Sequence, residues 1–316
     1  APGAVIGGET AVEGNVILGG IHIEGPGADG ARIQGNRINL SADGSAELDP
    51  EAFTGILVEY ASGVTIGGPT DVPGRAPGNA IVASAPFSNG IAVLGEDDPD
   101  KGPADDLRVL GNLVGTDGSG TAAIPVGEEG ILLRGLVRNA QIGQAGGGNV
   151  IVTDRDVAVA AIDLGADLGA PDGLTVAGNT IGMSLGGTAV LGDVSDGIRV
   201  GGNETNRGVE DVTIGGSGAA GNRIAAETGL FLVGGRTSQA TVSNNVLGLL
   251  ANGLLARDDA ADGITLLLAN EVTLDGNVVA GFERGIVLAS NANVLTRNRI
   301  GTNEGGSVSR ANDIGI

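Results

Sequence analysis

Short runs in which apolar and polar residues alternate recur along the whole chain. Val64-Thr65-Ile66, Leu174-Thr175-Val176, Val212-Thr213-Ile214 and Val272-Thr273-Leu274 are four of them. A period of two marks a strand with one buried face. Most runs lead into a turn of the form Gly-Asn-x-apolar. Its asparagines are Asn15, Asn36, Asn79, Asn112, Asn149, Asn179, Asn222, Asn245, Asn277 and Asn298, with Asn244 and Arg297 replacing the glycine in two cases. Successive asparagines stand 21 to 43 residues apart, so a fixed repeating core takes insertions at permitted places.

Three apolar columns frame this turn. The strand before it contributes Ile6, Ile33, Ile66, Val109, Ile142, Val176, Ile214, Val242, Leu274 and Leu295. Two residues past each Asn stand Ile17, Ile38, Ile81, Val114, Ile151, Ile181, Ile224, Leu247, Val279 and Ile300. A third strand opens on Gly-apolar, from Gly20-Ile21 and Gly55-Ile56 to Gly285-Ile286 and Gly315-Ile316; in the fifth repeat Val157-Ala158-Val159 is the nearest substitute.

Three short strands cannot bury a face alone, but coils stacked on one another can. The pattern therefore predicts an all-β fold: a single right-handed parallel β-helix of about ten coils over residues 1–316, with three parallel sheets around a dry core. The ten asparagines are expected to form a ladder at one turn, each amide bonded to those above and below. From turn Asn to third-strand Gly, alternate coils measure 19, 18, 18, 18 and 17 residues, against 5, 11, 7 and 8 in the others where the strand is clear. The unit is a pair of coils, and the long loops should align along one edge about 9.6 Å apart, twice the strand spacing.

Strings such as Gly111-Asn112-Leu113-Val114-Gly115-Thr116-Asp117-Gly118, leading to Gly130-Ile131, resemble right-handed parallel β-helix repeats of the pectate-lyase-like superfamily. They are most similar to the Gly/Asn-rich repeats of large bacterial and archaeal surface proteins. The resemblance covers the whole chain and implies the fold. It leaves function open among lyases, epimerases, tailspikes and adhesins.

Composition narrows the chemistry. The chain carries 17 basic and 38 acidic residues, a net charge of −21, which repels nucleic acid and anionic membranes. No apolar run reaches the length of a membrane span. Aromatics are 2% of 316 residues, too few for the stacking platforms of most glycan or single-strand binders. There is no Cys and a single His, His22, which removes thiolate and His-cluster metal sites. The opening Ala1-Pro2-Gly3, without Met, fits a processed exported protein or an excised segment.

Enzymatic readings are then tested residue by residue. A polysaccharide lyase needs carboxylates and an unprotonated base on one face; Arg32 and Arg108 stand outward on the first strand without a flanking acidic column. A glycosidase needs two carboxylates at suitable spacing, for which Asp105-Asp106 and Asp258-Asp259 are available without the usual companion motifs. Thr175, Thr213, Thr241 and Thr273 form a single outward rank, better explained by β-propensity than by ice binding.

No cofactor is required, and calcium is the one ion the residues offer a place for. The acidic loop at Glu96–Gly102 supplies Asp97, Asp98 and Asp100 as hard oxygen ligands. Glu129, Asp196 and Asp262, with Asp313 nearby, should stack into an acidic ridge.

The outward third-strand positions Leu57, Ala92, Leu132, Phe231 and Val287 are apolar, which calls for a covering loop or a partner. The first strand begins at Ala4-Val5-Ile6 and the sequence stops within a third strand, so both end coils are expected to be open. Val5 and Ile6 at one end, with Leu295, Ile300 and Ile316 at the other, are the expected self-association residues.

The expected function is structural and non-enzymatic: an extracellular or cell-surface solenoid that stacks head-to-tail into a filament or builds an adhesin stalk. Its partner is a second copy, with a surface polysaccharide as a further possible partner, and neither nucleic acid nor membrane insertion is involved. The alternative is a β-helix domain that binds or cleaves polysaccharide.

Overall fold

The computed structural model describes residues 2–98, 101–162, 169–202, 208–234, 237 and 239–316. The chain is an all-β parallel solenoid of about ten coils. Its strands fall into two sheets of 10 strands and one of 9, and in every sheet each strand pairs only with the strand one coil before and one coil after. The coil itself is the crossover, which lets two-residue parallel strands pair without connecting helices.

The inward columns meet in one continuous core. Ile33, Ile66, Val109, Ile142, Val176, Ile214, Val242 and Leu274 are wholly buried along the first sheet, and Ile38, Ile81, Val114, Ile151, Ile181, Ile224, Leu247 and Val279 along the second. Ile6, Ile17, Leu295 and Ile300 pack on the ends of that core and are partly covered. Register is strict: Ile33 pairs with Ile66 and Ile66 with Val109, so β-branched apolar side chains stack coil on coil. A slip of one residue would turn an entire apolar column out to solvent.

The glycine that opens each third strand is fixed by steric contact with the next coil. At Gly55 a Cβ would strike Ile81 and the Gly90 carbonyl, and at Gly229 it would strike Leu247 and the Gly263 carbonyl. In the fifth coil the strand is Val159–Ile162, beginning two residues after the start of the stretch read from sequence. There Ala158 occupies the glycine's place and Val159 pairs with both Ile131 and Ile198.

Every second coil carries a hairpin between its second and third strands. Antiparallel bridges close these at Leu40–Glu47, Thr116–Ala123, Met183–Val190, Leu249–Leu255 and Thr302–Ser309. The hairpins touch along one edge. The Gly118 N–H donates to Gly44 O at 2.8 Å, Leu185 N–H to Gly120 O at 2.8 Å, and Ala251 N–H to Gly187 O at 2.8 Å. Arg310 Nε reaches Gly253 O at 2.8 Å and completes the row. Beneath it lie the outward residues of the second sheet, Ala80, Leu113 and Val150, buried together with Leu40 and Val82.

Candidate functional site

The structure brings all ten turn asparagines into one line. Nδ2 of Asn15 donates to Oδ1 of Asn36 at 2.9 Å, and the same bond repeats at 2.9–3.1 Å through to Asn298. Each Oδ1 also accepts the backbone N–H of the preceding ladder residue, as Asn79 does from Asn36 at 2.9 Å. The second Nδ2 hydrogen goes to a first-sheet carbonyl, for example from Asn36 to Ile6 at 2.8 Å and from Asn222 to Val176 at 2.8 Å. Two donors and two acceptor positions are thus all engaged on interior amides, which is what allows them to be buried. The amide-to-amide bonds share one direction: each Asn donates to the Oδ1 of the following coil and accepts from the preceding one.

The acidic loop is organised differently. Lys101 pairs with Glu96 at 3.0 Å, Tyr60 donates to the same carboxylate at 2.9 Å, and the Lys101 ammonium stands 5.2 Å from the centre of the Tyr60 ring. Burial, with the Glu96 carboxylate next, raises the Tyr60 phenol above its ordinary pKa. Asp97 and Asp98 are exposed on this loop, and Asp100 lies outside the described residues. Among the described residues no three acidic or imidazole side chains converge as a metal cage.

The expected acidic ridge is interrupted by arginines. Asp262 is gripped by Arg284 through two bonds of 2.6 and 2.8 Å, and Asp196 is buried against Arg199. Between the two, Thr228 occupies the intervening coil. Glu129 has its pKa raised, first through burial and then through the adjacent Glu128 carboxylate.

Three of the four carboxylates that could serve a glycosidase are engaged as well. Asp105 receives Arg138 Nε at 2.9 Å, and Asp106 accepts from Asn139 at 3.2 Å. Arg257, itself well buried, bridges Asp193 at 2.8 Å and Asp259 at 2.8 Å. It stands in a cleft of about 580 Å³ that is also lined by Glu227, Asp258, Glu283 and Asp313. His22 is exposed on the third sheet and bonded to Glu59 at 2.7 Å. Arg32 and Arg108 are exposed two coils apart, with Thr65 between them.

Part of the outward apolar stripe of the third sheet is covered by the chain itself. Ala92 and Leu132 are buried, Leu132 together with Val157 and Ala160, while Leu57, Phe231 and Val287 are half-buried. Sequence reasoning passed over a more exposed pair. Phe53 is 70% and Phe87 73% exposed, and Phe87 holds φ at 63° in the turn after Pro86, where glycine is the ordinary occupant. At the solenoid ends, Val5 is 47% and Ile316 64% exposed.

Comparison with protein-family models, with curated proteins and with solved structures finds no match to this chain.

Proposed function

We propose that this chain is a non-enzymatic structural protein of the extracellular space or cell surface. In this reading it is a right-handed β-helix of the broad pectate-lyase-like kind that extends by head-to-tail stacking, as a filament or within an adhesin stalk. The observation that carries the reading is the polarity of the asparagine ladder. Each ladder amide donates to the Oδ1 of the following coil and accepts from the preceding one, so copies set end to end would continue the bonds that neighbouring coils make, such as Asn277 to Asn298 at 3.1 Å. Val5 and Ile6 would then meet Leu295, Ile300 and Ile316 of the next copy, in a heterologous contact that need not close. A charge of −21 opposes sideways clumping and leaves the apolar ends as the favoured contact once salt screens it. The similarity to Gly/Asn-rich surface repeats supports the exported setting.

Sedimentation velocity across protein concentration, at low and high salt, tests the proposal. Growth of a polymer series with concentration, abolished by Ile6→Lys, is the expected result. A monomer that persists at high concentration and high salt overturns it. Release of reducing or unsaturated sugars from a polysaccharide would put the enzymatic alternative ahead.

A further inference from the structure

The chain holds far more acids than bases, so a surface arginine should readily find a carboxylate. Among the described residues seven arginines do: Arg138, Arg155, Arg199, Arg223, Arg257, Arg284 and Arg297 each form an ion pair. Arg37 and Arg75 enter no ion pair among the described residues, yet both line one cleft of about 530 Å³. Its other walls come from Ala11, the Gly35-Asn36 turn, Gly74-Ala76 and Gly118, and none of the lining residues is acidic.

Three carboxylates on the loops around the cleft are bonded within their own loops. Glu13, two residues from Ala11, takes the Thr10 hydroxyl at 2.7 Å and the Thr10 N–H at 2.9 Å. Asp43, on the hairpin against which Arg37 lies, accepts from Ser41 at 2.6 Å and Ser45 at 2.8 Å. Asp117, beside Gly118, accepts from Ser119 and from the amides of Thr121 and Ala122. Three backbone donors of the cleft are committed: Gly35 N–H to Pro77, Gly74 N–H to Gly111 and Gly118 N–H to Gly44. The charged groups the cleft offers a ligand are two guanidiniums.

A guanidinium presents a rigid fork of donors that matches carboxylate, sulfate and phosphate through paired bonds. We propose that this cleft binds an oxyanion group, of the sulfate, carboxylate or phosphate kind, carried on a molecule about the size of a sugar. The volume suits that size. Salt at 0.1 M screens the more distant acids of the chain over about 10 Å, while the two arginines stand at the cleft itself. The site is independent of end-to-end stacking, since its walls belong to the side of the first four coils.

Titration calorimetry in 0.1 M sodium chloride tests it, with galactose 6-sulfate as probe, galactose as the uncharged control and inorganic sulfate as the free ion. One molar equivalent of the sulfate ester should bind, galactose should give no heat, and inorganic sulfate should compete. An ester bound more tightly than sulfate identifies a sugar-borne group as the ligand; equal affinity identifies a free oxyanion. Arg37→Met and Arg75→Met should each weaken binding at least 10-fold with Tm unchanged. If either lowers Tm, Arg37→Lys, which keeps the charge and loses the fork, should bind several-fold more weakly than the parent. Absence of heat with both anions, or binding that survives Arg37→Met together with Arg75→Met, overturns the proposal.

Discussion

Asn179 engages every hydrogen-bonding position of its amide with residues of other coils. Its Oδ1 accepts the N–H and Nδ2 of Asn149, both at 2.9 Å, and its Nδ2 donates to Asn222 at 3.0 Å and Ile142 at 2.9 Å. Asn179→Ala strands two buried donors on Asn149 and removes a partner from the Ile142 carbonyl. The expected cost is about 3 kcal/mol, since unpaired buried groups cost roughly 1–3 kcal/mol each and relax only in part. A thermal melt indistinguishable from the parent would contradict a closed network at this turn. The ladder was legible in the sequence because one residue type recurs ten times beside apolar columns. Phe87 was not legible, because nothing in Ala85-Pro86-Phe87-Ser88 announces a left-handed residue; only the folded turn, with Ser88 N–H bonded to Ala85 O at 3.1 Å, places it there.

The element that sets the coil's cross-section is the corner before the third strand. Glycine is needed there for space, because its missing side chain lets the next coil's carbonyl and core residue close in. Gly229→Ala should therefore destabilise by about 1–3 kcal/mol, the usual cost of overpacking a dense interior. A lowered urea midpoint with an unchanged slope is the expected reading. A midpoint equal to the parent's would mean that the coil can take a methyl at this corner, as it does at Ala158. The paired-coil period, read from loop lengths alone, corresponds to the row of hairpins. The apolar floor beneath that row was missed, since Ala80, Leu113 and Val150 stand at outward positions that alternation assigns to solvent. Insertions fold back over them, and a period-two pattern carries no information about what an insertion covers.

Across the whole molecule the surplus of acids is managed by spacing and by arginine. Asp196 and Asp262 have partners, whereas Glu129 stands beside Glu128 in a partly buried position and is raised above its ordinary 4.5, mainly by burial. For a carboxyl raised in the native state, the penalty is nil below its unfolded pKa. It grows as pH rises through the native value and stays in full above it. Glu129→Gln should thus raise Tm at pH 7, and the gain should vanish near pH 3.5, where both states carry the proton. A gain of equal size at both pH values would assign the effect to packing and not to charge.

The sequence by itself determined the coil: its three strands, the inward columns, the turn amide and the alternation of short and long loops. These are local periodicities that the same side-chain chemistry must repeat at every level of the stack. The tertiary structure alone decided which acids stay unpaired and which arginines stay free. Asp105 and Arg138 are 33 residues apart, and Arg223 and Glu304 are 81 apart. Arg37 and Arg75 come to share a cleft through loops of elastic length. Spacing along the chain encodes position within a coil, but contacts between loops of different coils depend on how each insertion folds over the stack.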